Sequence, residues 1–223
     1  MSTKTIEPNL RLISEYTKLG QSDRFCIPEY QRGYSWTTAQ CDKLWQDIEQ
    51  FIDTGAEDPY FFGTVIIDCS TSNCLNLIDG QQRTTTFLLL LKAISLRIKE
   101  VLSGMPDEEE TRGLKKGLNS SLDKIFEILY KADDDKSIDI ENDWNNAKGI
   151  VILENRSINE LYKNDFQAIV EAETFENARA SVYKIPRKQK DNKYTNFSAT
   201  SSTSTRNCQD TMRQGLTRSP RYS

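Results

Sequence analysis

The chain has 223 residues, no histidine and a formal net charge of −4. This length allows one large domain, or one domain with a helical extension. The lack of histidine excludes Ser-His-Asp and Cys-His catalytic systems and histidine-ligated zinc sites. Any catalysis must therefore use carboxylates, Arg, Lys, Tyr or a cation held by oxygen ligands. A hydrophobic content of 37% is low and indicates that part of the chain is not packed.

The cysteines and the apolar segments indicate a cytoplasmic protein. No apolar run approaches the roughly 18 residues that span a bilayer, and residues 1–8 lack the apolar core of a signal peptide. Free thiols are therefore the default expectation, although Cys69 and Cys74 could meet across a hairpin. The five cysteines are Cys26, Cys41, Cys69, Cys74 and Cys208.

Three elements are predicted before residue 54. Apolar residues with helical spacing predict a helix over Thr5–Leu19, and a short strand at Arg24–Ile27 ends at Pro28. Thr37 is placed to cap a helix that runs to about Asp53. That helix carries an apolar strip at helical period, formed by Cys41, Leu44, Trp45, Ile48 and Ile52.

A hairpin and a long helix are predicted next. The β-rich run Tyr60–Ile67, the polar turn Asp68–Asn73 and the strand Cys74–Ile78 form the hairpin. The helix extends from Gln81 to about Ser103 and is broken by the Gly-Met-Pro sequence that follows. Its predicted buried face consists of Phe87, Leu91, Ile94, Ile98 and Val101.

The remaining residues divide into a helical region and a basic end. Helices are predicted near residues 107–131, 157–170 and 174–183, and an extended segment at 149–153 is expected to pack against the domain. Residues 184–223 carry nine Lys/Arg and two Asp/Glu, a net charge of +7, which leaves −4 − 7 = −11 for the first 183. This basic end is predicted to be disordered. It could be a nucleic-acid-binding arm, a solubilising tail or out-of-frame sequence, and we favour the last interpretation.

The junction between the second hairpin strand and the long helix predicts an anion site. Asp79, Gly80, Gln81, Gln82 and Arg83 follow the strand directly. Such a junction aims unpaired backbone N–H groups and the positive end of a helix dipole at one point. The alternative is an ordinary helix start, with Asp79 as the N-cap and Arg83 solvated. Capping does not require the two amides and the arginine, and they favour the anion site.

A second polar cluster, formed by Tyr30, Gln31, Arg32, Tyr34 and Trp36, follows the first strand. Aromatic, amide and cationic side chains together suit stacking on a base or holding a backbone phosphate. In the alternative, the aromatic rings fill the core beside Trp45, and Arg32 pairs with Glu29 or Asp47.

Gly63 is a lone glycine inside the predicted first hairpin strand. It would either permit close approach of a ligand or mark a bulge. Neither G-x-x-x-x-G-K-[ST] nor G-x-G-x-x-G occurs in the chain. A nucleotide would therefore have to bind through the Asp79–Arg83 turn.

Three segments, Ile27–Trp36, Phe61–Ile66 and Ile78–Thr85, resemble the N-terminal domain of GmrSD-type restriction systems, over residues 10–100. The resemblance implies an α+β fold with a ParB/sulfiredoxin-like core and a small mixed sheet. The expected division is a core domain at 1–104, an incomplete helical extension at 105–197 and a disordered tail at 198–223. We expect the resemblance to end at about Phe197.

The resemblance also implies site residues and ligands. In the family, the DGQQR turn hydrolyses a nucleoside triphosphate, coupled to recognition and restriction of modified DNA. Asp79, Gln82 and Arg83 would be catalytic, with Asp79 orienting water or Mg²⁺. The implied nucleotide-binding residues are Gly80, Gln81, Gln82, Arg83, Thr84, Arg32 and Gly63. The implied DNA-sensing or cavity-lining residues are Pro28, Tyr30, Gln31, Arg32, Tyr34 and Trp36.

One departure from the family concerns nuclease activity. Many relatives carry a C-terminal His-Asn-His nuclease domain, for which this chain has neither the histidines nor the length. We therefore expect a sensor half that does not cleave DNA by itself. It would stand alone, be split from a separate nuclease subunit, or be truncated. Two alternatives remain: a non-catalytic DNA- or partner-binding module, and an inactive truncated remnant. The acidic first 183 residues argue against a broad DNA-binding face.

Overall fold

The computed structural model describes residues 6–20, 22–55, 58–130, 151–156 and 165–181. This part of the chain holds six helices and one four-stranded mixed sheet, in agreement with the predicted α+β fold. The ParB/sulfiredoxin-like character of the core stays a prediction. The segment predicted to be a disordered tail lies outside the described residues.

The helices are α1 (Ile13–Thr17), α2 (Thr38–Thr54), α3 (Gln81–Gly104), α4 (Glu109–Tyr130), α5 (Asp165–Glu171) and α6 (Phe175–Ser181). The strands are β1 (Arg24–Ile27), β2 (Ile66–Thr71), β3 (Cys74–Asp79) and β4 (Leu153–Asn155), in the spatial order β2-β3-β1-β4. β1 is parallel to both β3 and β4, whereas β2 and β3 form an antiparallel hairpin. Because β1 and β3 are parallel, the segments that follow them emerge at the same edge of the sheet.

Several predicted elements are confirmed. α2 begins after Thr37, whose backbone N–H donates to Gln40 Oε1 at 2.7 Å, and ends at the left-handed Gly55 (φ 57°). The predicted hairpin forms, but its turn is shorter than the predicted Asp68–Asn73. It consists of Ser72 and Asn73, where Asn73 has a φ of 60°, because residues 68–71 continue β2. The extended segment before β4 is buried at Val151, Ile152 and Leu153, as expected. α4 and α6 fall inside predicted helical ranges, and α5 ends one residue beyond its predicted end at Val170. Residues 157–164, predicted as the start of the α5 helix, lie outside the described residues.

Two predicted elements are shorter than expected. The first helix begins at Ile13, because Ile6 and Leu10 are exposed and an unpacked helix is marginal in water. The first hairpin strand begins at Ile66 instead of residue 60. Ile66 pairs with Asp79, after which the chain turns into α3, so residues before Ile66 have no strand to pair with.

The predicted buried face of α3 is wrong at most positions. Of the five apolar residues expected there, only Ile98 is buried, and the others are half-buried. The buried apolar residues of α3 are instead Leu88, Leu89, Leu90, Ala93, Leu96 and Ile98. α3 contacts α4, Tyr16 and the loop after β1, so its burial is not confined to one stripe. The largest fully buried apolar side chains of the core are Phe25, Phe166, Leu77, Leu88, Leu129, Ile152 and Val170.

The cysteines differ from the expectation of free thiols. Cys26 on β1 and Cys74 on β3 form a disulfide between neighbouring parallel strands. Cys69 does not meet Cys74 and is exposed. The pairing depends on strand order, because Cys26 and Cys74 are 48 residues apart in sequence. Among the described residues, no helix has the length and apolarity needed to cross a membrane.

Candidate functional site

The parallel ends of β1 and β3 bring the two predicted polar clusters together. The loop after β1, residues 28–36, lies against the turn that begins α3. Gln31 Nε2 donates to the carbonyl of Ile78 at 2.9 Å, and Gln81 Nε2 donates to Gln31 Oε1 at 3.1 Å. These contacts join residues 47 and 50 positions apart. The two clusters therefore form one site region at the sheet edge.

Gln82 holds the loop after β1 in place. Its Oε1 accepts hydrogen bonds from the backbone N–H groups of Ser35 at 2.7 Å and Trp36 at 3.3 Å. Its Nε2 donates to the carbonyl of Gly33 at 3.3 Å, and the residue is only 7% exposed. The amide oxygen and nitrogen of Gln82 are thus both bonded to backbone groups of the loop after β1.

Arg83 lies against the segment that precedes β2. Gly63 has a φ of 116°, and a Cβ atom at this position would lie 2.6 Å from Arg83 Cζ. The guanidinium also sits over the Phe62 ring, with Cζ 5.9 Å from the centroid. Phe62 in turn packs edge-on against Phe87, with centroids 5.3 Å apart. Position 63 must therefore lack a side chain if Arg83 is to occupy this place.

The charge of Arg83 is not neutralised within the described part of the chain. There, no carboxylate lies within 4.0 Å of its guanidinium, and the side chain is half-buried. In this part of the chain, the guanidinium therefore lies against Gly63 and the Phe62 ring without a carboxylate beside it. An arginine without a carboxylate partner can bind a carboxylate or phosphate through two parallel N–H···O hydrogen bonds.

The start of α3 is uncapped. Its N-cap is Gly80, with a φ of 84°, so the alternative that placed Asp79 as the N-cap is wrong. No side chain caps the helix, and the first helical hydrogen bond runs from Thr84 N–H to the carbonyl of Gly80 at 3.0 Å. Asp79 is exposed at the end of β3. The uncapped N–H groups and the helix dipole favour an anion beside this turn.

The threonines that follow Arg83 face the interior. Thr84 Oγ1 lies 3.0 Å from the hydroxyl of Tyr16, and burial raises the pKa of Tyr16 to about 12. Thr86 Oγ1 lies 2.7 Å from the hydroxyl of Tyr34, which is also buried. Thr85 Oγ1 is buried and has no hydrogen-bond partner in the described part of the chain. Thr84 and Tyr34, both expected near a ligand, therefore pack within the domain.

The rest of the loop after β1 divides into buried and exposed residues. Pro28 is buried. Trp36 and Tyr34 pack in or against the core, as the core-filling alternative predicts for them. Tyr30 is 74% exposed and Arg32 is exposed, so neither belongs to the core. Within the described residues Arg32 makes no ion pair, and Asp47 pairs with Lys43 at 2.8 Å instead.

A comparison with protein families shows which family the chain belongs to. Residues 12–212 match the family described as the GmrSD restriction endonuclease, N-terminal domain. The chain belongs to this family. The match extends beyond residue 197, where we expected the resemblance to end. A comparison with curated proteins finds none that matches.

Sequence reasoning missed two residues at the site of this GmrSD N-terminal domain. Phe62 supports Arg83, and the Tyr60 hydroxyl lies within electrostatic range of Arg83, Lys43 and Asp47. Burial and the charge of Asp47 raise the pKa of Tyr60, while the two cations act in the opposite direction. The aromatic residues before Gly63 are evident in the sequence, but such residues are equally typical of an ordinary strand.

The expected Mg²⁺ would have few protein ligands in this GmrSD N-terminal domain. The described residues contain no group of three or more His, Cys, Asp or Glu side chains that could hold a metal ion. Asp79 is a single exposed carboxylate beside the α3 turn. This donor set fits Mg²⁺ where phosphate oxygens and water complete the coordination, as is common for Mg²⁺–nucleotide sites.

Proposed function

We propose that this GmrSD N-terminal domain is the nucleotide-binding and nucleotide-hydrolysing sensor of a modification-dependent restriction system. The polyphosphate would bind between Arg83 and the start of α3. One observation carries the proposal: Arg83 is fixed against Gly63 and Phe62, beside an uncapped helix start, without a carboxylate partner among the described residues. In this proposal, the positive charge of Arg83 and the backbone N–H groups would act on the same anion.

The residues at the turn would take different roles. Arg83 and the backbone N–H groups after Gly80 would hold the phosphates and the charge that develops on them during transfer. Asp79 would orient the attacking water, and it is also the residue that would hold Mg²⁺, which neutralises phosphate charge when bound. Gln82 would act by positioning, since its amide holds the loop after β1.

Recognition of modified DNA would use the exposed part of the same loop. Tyr30 and Arg32 are both exposed, and Gln31 beside them contacts the α3 turn. An aromatic ring and a cation can stack on a base and contact a phosphate. The contact would be local, because the first 183 residues carry a net charge of −11, obtained as −4 − 7. DNA cleavage would fall to a separate nuclease subunit in the cytoplasm.

A non-catalytic binding module is the second candidate. It is favoured by the positions of Gln81 and Gln82, which are 6% and 7% exposed and have amide groups that bind the loop after β1. In this candidate, nucleotide or DNA would bind at the turn without turnover. The first candidate function predicts phosphate release from the nucleotide, and the second predicts none.

Phosphate release from the purified protein, with each of the four NTPs and with or without modified DNA, tests the first candidate. We expect release from the wild type and loss of release in Arg83→Ala. Arg112→Ala is the matched control, because Arg112 is exposed on α4 and pairs with Glu109 at 3.1 Å. Nucleotide-dependent thermal stabilisation without release would favour the non-catalytic module. If nucleotide stabilises the wild type and Arg83→Ala equally, Arg83 and its turn do not form the binding site.

A further inference from the structure

The segment before Gly63 carries an aromatic ring beside the proposed phosphate site. The Tyr60 ring packs against Phe51 of α2, with centroids 5.7 Å apart and an interplanar angle of 50°. Tyr60 is half-buried, so this contact leaves part of the ring open to solvent. α2 thus supports the ring from one side without enclosing it.

Tyr60 belongs to the surroundings of Arg83. Burial and the charge of Asp47 raise the pKa of its hydroxyl, against the charges of Arg83 and Lys43, which lower it. Phe62, two residues further on, lies beneath the guanidinium. The Cα atoms of residues 60 and 63 are at most about 11 Å apart, since the two residues are three positions apart in the sequence. An extended nucleoside triphosphate can bridge such a distance.

Phe61, which lies between Tyr60 and Phe62, has a different environment. Phe61 is 71% exposed, and the described residues include no ring that packs against it. Tyr60 and Phe62 thus each pack against another aromatic ring, whereas Phe61 projects into solvent. The three consecutive aromatic residues are therefore not equivalent.

We infer that Tyr60 binds the base of the nucleotide at this site. This inference rests on the proposed function, because it assumes that phosphates bind at Arg83. The base would stack on the open part of the Tyr60 ring while Phe51 supports the ring from α2. Stacking on an aromatic ring is tolerant of base identity, since every base has a π-face.

The test compares binding of ATP, GTP, CTP and UTP with binding of inorganic tripolyphosphate by calorimetry. Tyr60→Leu keeps an apolar side chain against Phe51 but removes the ring. We expect the Kd for nucleotides to rise roughly 5- to 100-fold and the Kd for tripolyphosphate to stay unchanged. Tyr60→Trp should restore nucleotide binding. Phe61→Ala is the matched control and should leave both unchanged, and thermal unfolding checks that each variant is folded.

The outcomes separate this inference from the proposed function. If Tyr60→Leu weakens both ligands equally, or neither, Tyr60 does not bind the base. If the wild type binds tripolyphosphate as tightly as nucleotides, the base-binding role fails while the phosphate site stands. If the wild type binds neither ligand, the proposed function itself fails and the inference fails with it.

Discussion

The side-chain oxygen of Gln82 accepts a hydrogen bond from the backbone N–H of Ser35, at 2.7 Å and across 47 residues of sequence. Gln82 is the second residue of α3, whereas Ser35 lies in the loop after β1. The bond ties the start of the central helix to the loop that carries the second polar cluster. Gln82 therefore has a structural role that is separable from any contact with a nucleotide.

Replacement of Gln82 by Leu should lower the free energy of unfolding by about 1–3 kcal/mol, because the N–H of Ser35 loses its acceptor. Urea-induced unfolding measures this change. Gln40→Ala is the matched control, since Gln40 also accepts from a backbone N–H at a helix start but is exposed. A loss in Gln40→Ala as large as that in Gln82→Leu would contradict a special role for the Gln82 contact.

Gly63→Ala should displace the Arg83 guanidinium and weaken polyphosphate binding. The new Cβ would lie 2.6 Å from Arg83 Cζ, and a φ of 116° is strained for any residue with a side chain, at a cost of about 1–3 kcal/mol. Thermal stabilisation by tripolyphosphate measures the binding. Gly55→Ala is the control, because Gly55 also has a positive φ, 57°, but has open space around it. It should lose stability and keep binding, and loss of binding in both variants would count against a local effect at Arg83.

Reduction of the Cys26–Cys74 disulfide should destabilise the domain. Closure of a loop of this length by a disulfide contributes about 2–4 kcal/mol, so Cys74→Ser should lower the midpoint of urea unfolding under non-reducing conditions. Cys69→Ser is the control at an exposed position and should change stability by less than about 0.5 kcal/mol. Thiol labelling of the denatured wild type should detect two more thiols after reduction than before. Equal labelling would show that the bond does not form in solution.

Lys92 should make stability depend on pH. It is buried on α3, its Nζ donates to the Tyr130 hydroxyl at 3.4 Å, and Tyr130 donates to the carbonyl of Val170. Burial, and then the charge of Lys99, lower the pKa of Lys92 from 10.5 to about 7, against the opposing effect of Glu173 and Glu171.

The sign of the effect follows from proton binding. Between pH 7 and 10 the unfolded chain keeps the Lys92 proton while the folded protein has released it, so the free energy of unfolding rises with pH. Lys92→Met removes this contribution, and its stability relative to wild type should fall from pH 7 to pH 9 by up to about 1.4 kcal/mol per pH unit. Urea unfolding at pH 7, 8 and 9 measures it. Lys43→Met, at an exposed position, should show no such trend, and a flat difference for Lys92→Met would refute the prediction.

Local sequence patterns were sufficient for the elements whose formation depends on neighbouring residues. Thr37 and Gln40 cap α2, Asn73 turns the hairpin, and the polar turn after Asp79 begins α3. These features need only capping hydrogen bonds, a positive φ or helical spacing, which a few consecutive residues determine. The family relationship was likewise visible in short segments, and the match over residues 12–212 confirms it.

Strand order and long-range packing determined the rest. The parallel pairing of β1 with β3 joins Cys26 to Cys74 and places Gln31 against Gln81, although no local pattern predicts either contact. Which face of α3 is buried depends on how many elements surround that helix. The role of Gln82 depends on the position of Ser35, because an amide in a sequence does not specify its hydrogen-bond partner. Composition and periodicity thus determined the elements and the residues available for chemistry, and tertiary structure decided which of those residues hold the fold and which remain open to a ligand.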